Sequence, residues 1–184
     1  NSGANIIVIG GESTRPGAKE IPVSDEWKRI SKKLRLIKKK KEIFTLDTRK
    51  SEVMEKSLNY GIKIINDVSG FEYDKKTITF LKKTKVPFVI HHMKGSSKTM
   101  QNSPKYKNVL LDIYDYFEAK IKYLRSIGIK HNNIILDPGI GFGKNLKHNI
   151  TLINKISIFH TLGFPILLGL SRKRFIKDIS NEND

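Results

Sequence analysis

Cysteine is absent from the chain, which excludes a disulfide framework and any thiolate chemistry and suits a reducing compartment. Long apolar runs are absent too: none approaches the ~20 residues that a membrane helix needs. No basic segment followed by an apolar stretch opens the sequence, so no secretory signal is read, and the expectation is a soluble, cytoplasmic protein. Acidic residues are scarce, with 18 Asp and Glu against 35 Lys and Arg, a formal charge of +17. Such an excess raises the question of a nucleic-acid partner. No arginine-rich stripe with interleaved aromatics accompanies it, however. The densest basic run, Lys38 to Lys41, closes a predicted helix, where the dipole favours cations. A solvated lysine-rich surface is the better reading, with no nucleic-acid or membrane partner.

What is present is a core. The 184 residues suffice for one domain, and 38% are hydrophobic, too many for a disordered chain. Six short apolar runs recur: Ile6 to Ile9, Ile43 to Leu46, Ile62 to Ile65, Val86 to Ile90, Ile134 to Leu136 and Ile166 to Leu168. They are apolar on both faces, as strands buried between helices are. Helical periodicity fills the gaps. Trp27, Ile30, Leu34 and Ile37 form one stripe after Ser24, a candidate cap; Ser51 is a candidate cap for the second helix. A third helix is predicted over Asp74 to Lys83. The fourth is long, carries Val109, Leu110, Ile113, Phe117, Ile121 and Leu124 on one side, and stops near Gly128. A fifth spans about His148 to Phe159, and another should begin at Ser171. Strand–helix alternation implies right-handed crossovers and a parallel sheet.

Polar residues follow every predicted strand: Glu12 to Arg15, Asp47-Thr48, Asn66-Asp67, His91-His92, Asp137, and Ser171 to Lys173. An open doubly wound sheet builds its site from few strands at one switch point. A (β/α) barrel collects side chains from many strand ends at one face, and that pattern fits better.

Each motif has a plain alternative. Asp47, Asn66 and Asp137 at three strand ends read either as helix caps or as a set of acceptors for a flat, donor-rich heterocycle. Such carboxylates also stabilise developing positive charge. Three at equivalent positions favour a site. The run Gly139-Ile140-Gly141-Phe142-Gly143-Lys144 is neither a dinucleotide fingerprint nor a Walker A loop, because its glycine spacing differs from both. It is a tight turn or a place where backbone approaches a ligand. Gly10 to Gly17 is a polar loop, and its Arg15 either binds an anion or lies on the surface. Three cations, Arg172, Lys173 and Arg174, at a predicted helix N-terminus make sense beside a bound anion. His91 and His92 are adjacent in a strand, point to opposite faces and do not chelate one metal together. One should face the barrel mouth and the other the helices. His131, His148 and His160 lack metal-ligand spacing. The sequon Asn149-Ile150-Thr151 is discounted without a secretion signal.

Taken together these motifs resemble the dihydropteroate synthase family. Gly10 to Gly17 looks like its G-G-E-S-T-R-P-G loop. Leu46-Asp47-Thr48 and Ile64-Ile65-Asn66-Asp67 match its next strand ends, and His92-Met93 with Lys98-Thr99-Met100-Gln101 resembles its fifth-strand region. Leu136 to Lys144 matches L-D-P-G-x-G-F-G-K, and Gly169 to Lys173 matches G-x-S-R-K. The resemblance implies a (β/α)8 barrel in which hydroxymethyl-dihydropterin pyrophosphate reacts with para-aminobenzoate, with magnesium as the usual metal and a homodimer as the usual assembly. It implies that Asp47, Asn66, Asp137 and Lys173 hold the pterin ring. Asp47 and Asp137 would stabilise the cation formed as pyrophosphate departs. It places Thr14, Arg15 and Pro16 in a loop over the aminobenzoate site, which sulfonamides also occupy. Phe142 would lie against the aminobenzoate ring, with Ser171 and the following helix, Arg172 included, near its carboxylate. Met93 and Gly141 complete the expected binding residues.

Departures from the pattern shape the expectations. The family's first strand with N-V-T-P-D-S-F, which carries the magnesium-binding asparagine, and its last strand with R-x-H-D are not in the sequence. The expectation is therefore one barrel domain over 1–184, truncated at both ends, with six of eight strand–helix units, two exposed edges and no metal ligand of its own. Val8 stands where the family has a carboxylate or amide, His91 where it has a methionine, and Arg174 where many members have a serine. Two other readings are a pterin-binding methyltransferase domain and a non-catalytic basic protein that binds polyanions. The G-E-S-T-R-P-G loop and S-R-K argue against the former, and salt-dependent polyanion binding would mark the latter.

Overall fold

Five of the six apolar runs pair into one parallel sheet, each beside the next in chain order. The computed structural model describes residues 3–14, 18–38, 40–95, 104–171 and 176. The strands are β1 (Ile6–Gly10), β2 (Ile43–Asp47), β3 (Ile62–Asp67), β4 (Phe88–His91) and β5 (Ile134–Asp137). Spatial order equals chain order, so among these strands the sheet has no switch point of the doubly wound kind. It is an arc of barrel wall. The sixth run corrects the expectation of a sixth strand: it forms only an isolated parallel bridge, Leu136 to Ile166. Leu136 donates to the Pro165 carbonyl at 2.9 Å, and Leu167 donates to the Leu136 carbonyl at 2.8 Å. The pairing direction is right, but Pro165 lacks an N–H and the ladder stops there. Of the helix expected from Ser171 only Ser171, in a turn, and Ile176, which is helical, lie among the described residues.

Each crossover carries a helix: α1 (Val23–Ile37), α2 (Ser51–Leu58), α3 (Lys76–Thr84), α4 (Val109–Ser126) and α5 (Leu146–Asn154), the last followed by a 3-10 helix over Ile156–Leu162. The predicted stripes are the buried ones. Ile30 and Leu34 of α1, and Val109, Ile113, Phe117 and Leu124 of α4, lie in the core. There they meet Leu46, Ile65, Ile90 and Leu136 from one face of the sheet. Phe117 and Phe159, both fully buried, pack edge-on at 5.7 Å. Each such side chain contributes roughly 1.5–3 kcal/mol by leaving water.

Both predicted serine caps are corrected. Pro22 is the residue before α1, and Ser24 lies inside the helix. Ser51 is the first residue of α2, and its N–H is satisfied by the Asp74 carboxylate at 2.9 Å. Asparagines do the capping elsewhere. Asn108 accepts from Leu110 and Leu111, and Asn145 forms a reciprocal capping box with His148, so α5 begins two residues earlier than predicted. β1 also departs from the expectation of strands buried on both faces: Ile6, Ile7 and Val8 are exposed, because β1 is the sheet edge among the described strands.

Asp67 ends β3 on the helix-facing side and is fully buried. Its Oδ1 accepts from the Ser69 N–H at 2.8 Å and the Ser69 hydroxyl at 2.6 Å. Burial, the largest influence, outweighs those bonds and pushes its pKa up to about 6 from 3.8. A pKa raised on folding adds stability that is complete below the unfolded value and is lost as pH rises through the folded one. Unfolding stability is therefore expected to fall between about pH 4 and pH 6 by as much as about 3 kcal/mol on this account. Asp67→Asn removes that slope. Denaturant titrations from pH 4 to 8 check it, and parallel curves for the two proteins would refute the assignment.

Candidate active site

Register partners share a face of a sheet, and alternate residues reverse it. Gly10 pairs with Asp47, and Asp47 pairs with Asn66. Asn66 pairs with Val89, two residues before His91, and His91 pairs with Asp137. Gly10, Asp47, Asn66, His91 and Asp137 thus project from one face at the C-terminal edge, opposite the helix-packed face. The sequence placed Asp47, Asn66 and Asp137 at strand ends, and the register brings them to one side.

Gly10 leaves space there: a side chain on it would crowd Asp47, whose Cβ lies 3.3 Å from where its own would stand. Asn66 is half-buried, and its Oδ1 has no hydrogen-bond partner among the described residues. Asp137 is 6% exposed. Its Oδ1 accepts from the Gly139 N–H at 2.7 Å, which orients the carboxylate, and its Oδ2 lies 4.0 Å from His91 Nε2. Backbone carbonyls only accept, so His91 Nδ1 carries a proton toward the Val68 carbonyl, 2.9 Å away. Nε2 is thereby turned toward Asp137. The Phe142 ring meets the His91 ring edge-on at 4.6 Å. Carboxylates, an amide oxygen, an imidazole and a ring edge thus lie along one wall, a set suited to a flat heterocycle with several N–H donors.

The glycine-rich loop after β5 is built for close backbone approach. Gly139 has φ +67°, and a Cβ there would overlap the His92 carbonyl oxygen; Gly143 has φ +61°, and its Cβ would overlap the Lys94 carbonyl oxygen. The loop is pinned on both sides. Gly141 N–H donates to Asn149 Oδ1 at 2.8 Å, and Tyr106 Oη donates to the Gly143 carbonyl at 2.9 Å. His92 points to the helix side, as one of the two histidines was expected to. It is buried against Tyr116 and Tyr106. Burial first, and the Lys144 charge second, hold its pKa down at about 2, so it is neutral.

At the ends of β1 and β2 lies a charged cluster that sequence reasoning missed. Glu12 accepts from Arg49 Nε at 2.8 Å, Lys50 Nζ at 2.9 Å and the Ile21 N–H at 3.0 Å. Lys50 also reaches Glu26 at 2.7 Å, and the Arg49 guanidinium lies 4.2 Å from the Tyr73 ring centre. Burial alone would push Glu12 up, but these hydrogen bonds and cations hold it below the ordinary carboxylate range. Its contribution to stability is therefore lost as pH falls. Glu12 and Ile21 together close the base of the Gly10 to Gly17 loop. The available signal was Arg49-Lys50 directly after a strand end, two cations where solvent alone would not require them. A neighbouring cleft lined by Glu20, Lys50, Ser51, Tyr73 and Asp74 lies at the start of α2 and does not include the three strand-end acceptors.

Of the remaining site expectations, Thr14, Met93, Gly141 and Phe142 are half-buried, and Ser171 is exposed. Arg15, Pro16, Arg172, Lys173, Arg174 and Lys98 to Gln101 lie outside the described residues. Among the described residues no three His, Asp or Glu side chains gather as a metal site. No described helix is long and apolar enough to cross a membrane.

Comparison with known proteins bears on this wall of acceptors. The model of the pterin-binding enzymes matches residues 1–184. Dihydropteroate synthase of Escherichia coli K12 is 40% identical over 182 residues, covering 98% of this chain and 64% of that protein. The crystal structure of the Yersinia pestis dihydropteroate synthase with a sulfonamide drug superposes with a TM-score of 0.93 at 36% identity, covering 98% of this chain and 66% of that one. The Thermus thermophilus synthase in complex with 4-aminobenzoate gives 0.88 at 36% identity, with 99% and 69% covered. The chain thus spans a little under two thirds of the length of the curated relative.

Proposed function

This chain belongs to the pterin-binding enzymes, and from that premise we propose that it forms the larger part of a dihydropteroate synthase, a transferase of folate biosynthesis. The substrates are hydroxymethyl-dihydropterin pyrophosphate and para-aminobenzoate. The amine nitrogen forms a bond to the pterin methylene carbon, the carbon–oxygen bond to pyrophosphate breaks, and the amine gives up a proton. The observation that carries this reading is the single wall of acceptors formed by Asp47, Asn66 and Asp137 beside a pinned glycine loop. Asn66 Oδ1, buried and without a described partner, is satisfied when a pterin N–H donates to it. Asp47 and Asp137 stabilise the positive charge that grows on the pterin as pyrophosphate leaves. Phe142 and Gly141 line the aminobenzoate side. The family resemblance assigns Thr14, Arg15 and Pro16 to aminobenzoate binding as well. Met93 lies against the pterin. Lys173 holds the pterin, with Ser171 and Arg172 near the aminobenzoate carboxylate.

The domain reading is one barrel, of which 1–184 supplies the strands described and segments on either side complete the wall. The magnesium that the family resemblance implies would, when bound, help to carry the pyrophosphate charge. A cytoplasmic homodimer belongs to the same reading. The full-length protein is expected to release pyrophosphate from the pterin substrate only when para-aminobenzoate is added, read by a coupled phosphate assay. Release at equal rate without aminobenzoate would overturn the assignment.

A further inference from the structure

Lys144 is a charged residue kept from solvent behind the candidate site, at 3% exposure. Its Nζ donates to the Phe142 carbonyl at 2.9 Å, to His92 Nδ1 at 3.0 Å and, more weakly, to the His92 carbonyl at 3.4 Å. An ammonium group only donates, so His92 Nδ1 is the acceptor and His92 is neutral, with its proton on Nε2. The imidazole is in turn wedged between Tyr116 at 4.9 Å and Tyr106 at 6.1 Å. Tyr106 reaches the same loop at the Gly143 carbonyl. Gly139 and Gly143 lie too close to the backbone of residues 92 to 94 to move inward. The loop is thus pressed onto β4 by its glycines and drawn down by one cation between them. On the far side of that loop the Phe142 ring meets His91.

We propose that Lys144 is a positioning residue for the aromatic-amine subsite: from the helix side of the sheet it fixes the Phe142 and Gly141 backbone through the Phe142 carbonyl and the neutral His92. The inference rests on the functional reading above and extends it to a residue that touches no substrate. A misplacement of about 1 Å in such a support is enough to lose binding and turnover geometry. Of the pterin wall's three acceptors, Asp47 and Asn66 stand on other strands, and Asp137 is placed at the end of β5 by its pairing with His91.

The test uses the full-length protein carrying Lys144→Met. The KM for para-aminobenzoate is expected to rise about tenfold or more, while binding of the pterin substrate alone changes less than about twofold. His92→Gln, which keeps an acceptor, is expected to leave both constants near wild type. His92→Leu is expected to reproduce the aminobenzoate defect, and this pair decides the matter if Lys144→Met does not fold. An unchanged KM for aminobenzoate, or an equal loss for both substrates, overturns the proposal, because the support would then be absent or merely general. A wild-type protein that consumes no aminobenzoate overturns the functional reading itself, and is told apart by failing before any variant is compared.

Discussion

Asp137→Asn in the full-length protein is expected to lower turnover about 10²- to 10³-fold, with pterin binding reduced far less. Asparagine keeps the volume and the acceptor that receives the Gly139 N–H at 2.7 Å. What it removes is the negative charge, held at 6% exposure beside the position assigned to the pterin. A preorganised charge in a water-poor site acts where charge develops and needs no rearrangement at the moment of reaction. The effect should therefore fall on kcat rather than on binding. Steady-state kinetics with a fluorescence titration of the pterin separate the two. Wild-type kcat in this variant would remove Asp137 from the mechanism.

The second large effect is on stability. Lys50 bridges Glu26, which is fully buried, and Glu12 at 2% side-chain exposure. Lys50→Met leaves the Glu26 carboxylate buried without its cation, a loss expected to be about 3–5 kcal/mol. For a domain of this size that is a fall in melting temperature of roughly 10 °C. The double variant Lys50→Met/Glu26→Gln is expected to recover much of it, because no buried charge is then stranded, and Arg49 still answers Glu12 at 2.8 Å. Calorimetry on the single and double variants reads this directly. Strictly additive losses would show that the pair is not coupled. Because Glu12 also takes the Ile21 N–H, the same variants should loosen the base of the Gly10 to Gly17 loop.

The two effects arise from different kinds of information. Asp137 was visible as a polar residue directly after an apolar run, and the same signal marked Asp47 and Asn66. Lys50 gave a weaker signal, as one of two cations after a strand end, and Glu26 gave none. Glu26 sits among first-turn acids, where the helix dipole alone accounts for a carboxylate, yet it faces inward and meets a lysine 24 residues away. Ser24 and Ser51 have good capping chemistry, but Pro22, which makes no side-chain cap, takes the position before α1, and the Asp74 carboxylate receives the Ser51 N–H at the start of α2. The sixth run has the composition of a strand, but its pairing stops after the bridge at Ile166.

By itself the sequence determined the alternation of strand and helix, the buried stripes of α1 and α4, and the row of polar strand ends. All of these follow from local periodicity and composition, which act over a few residues and survive without knowledge of the rest of the chain. Only the tertiary structure decided that Asp47, Asn66, His91 and Asp137 share a face, that His92 and Lys144 form a neutral-and-charged pair behind the loop, and that Asp67, Glu26 and Lys50 are removed from water. Those are outcomes of register and long-range packing, where a two-residue alternation and a partner tens of residues away fix which groups lose their solvent.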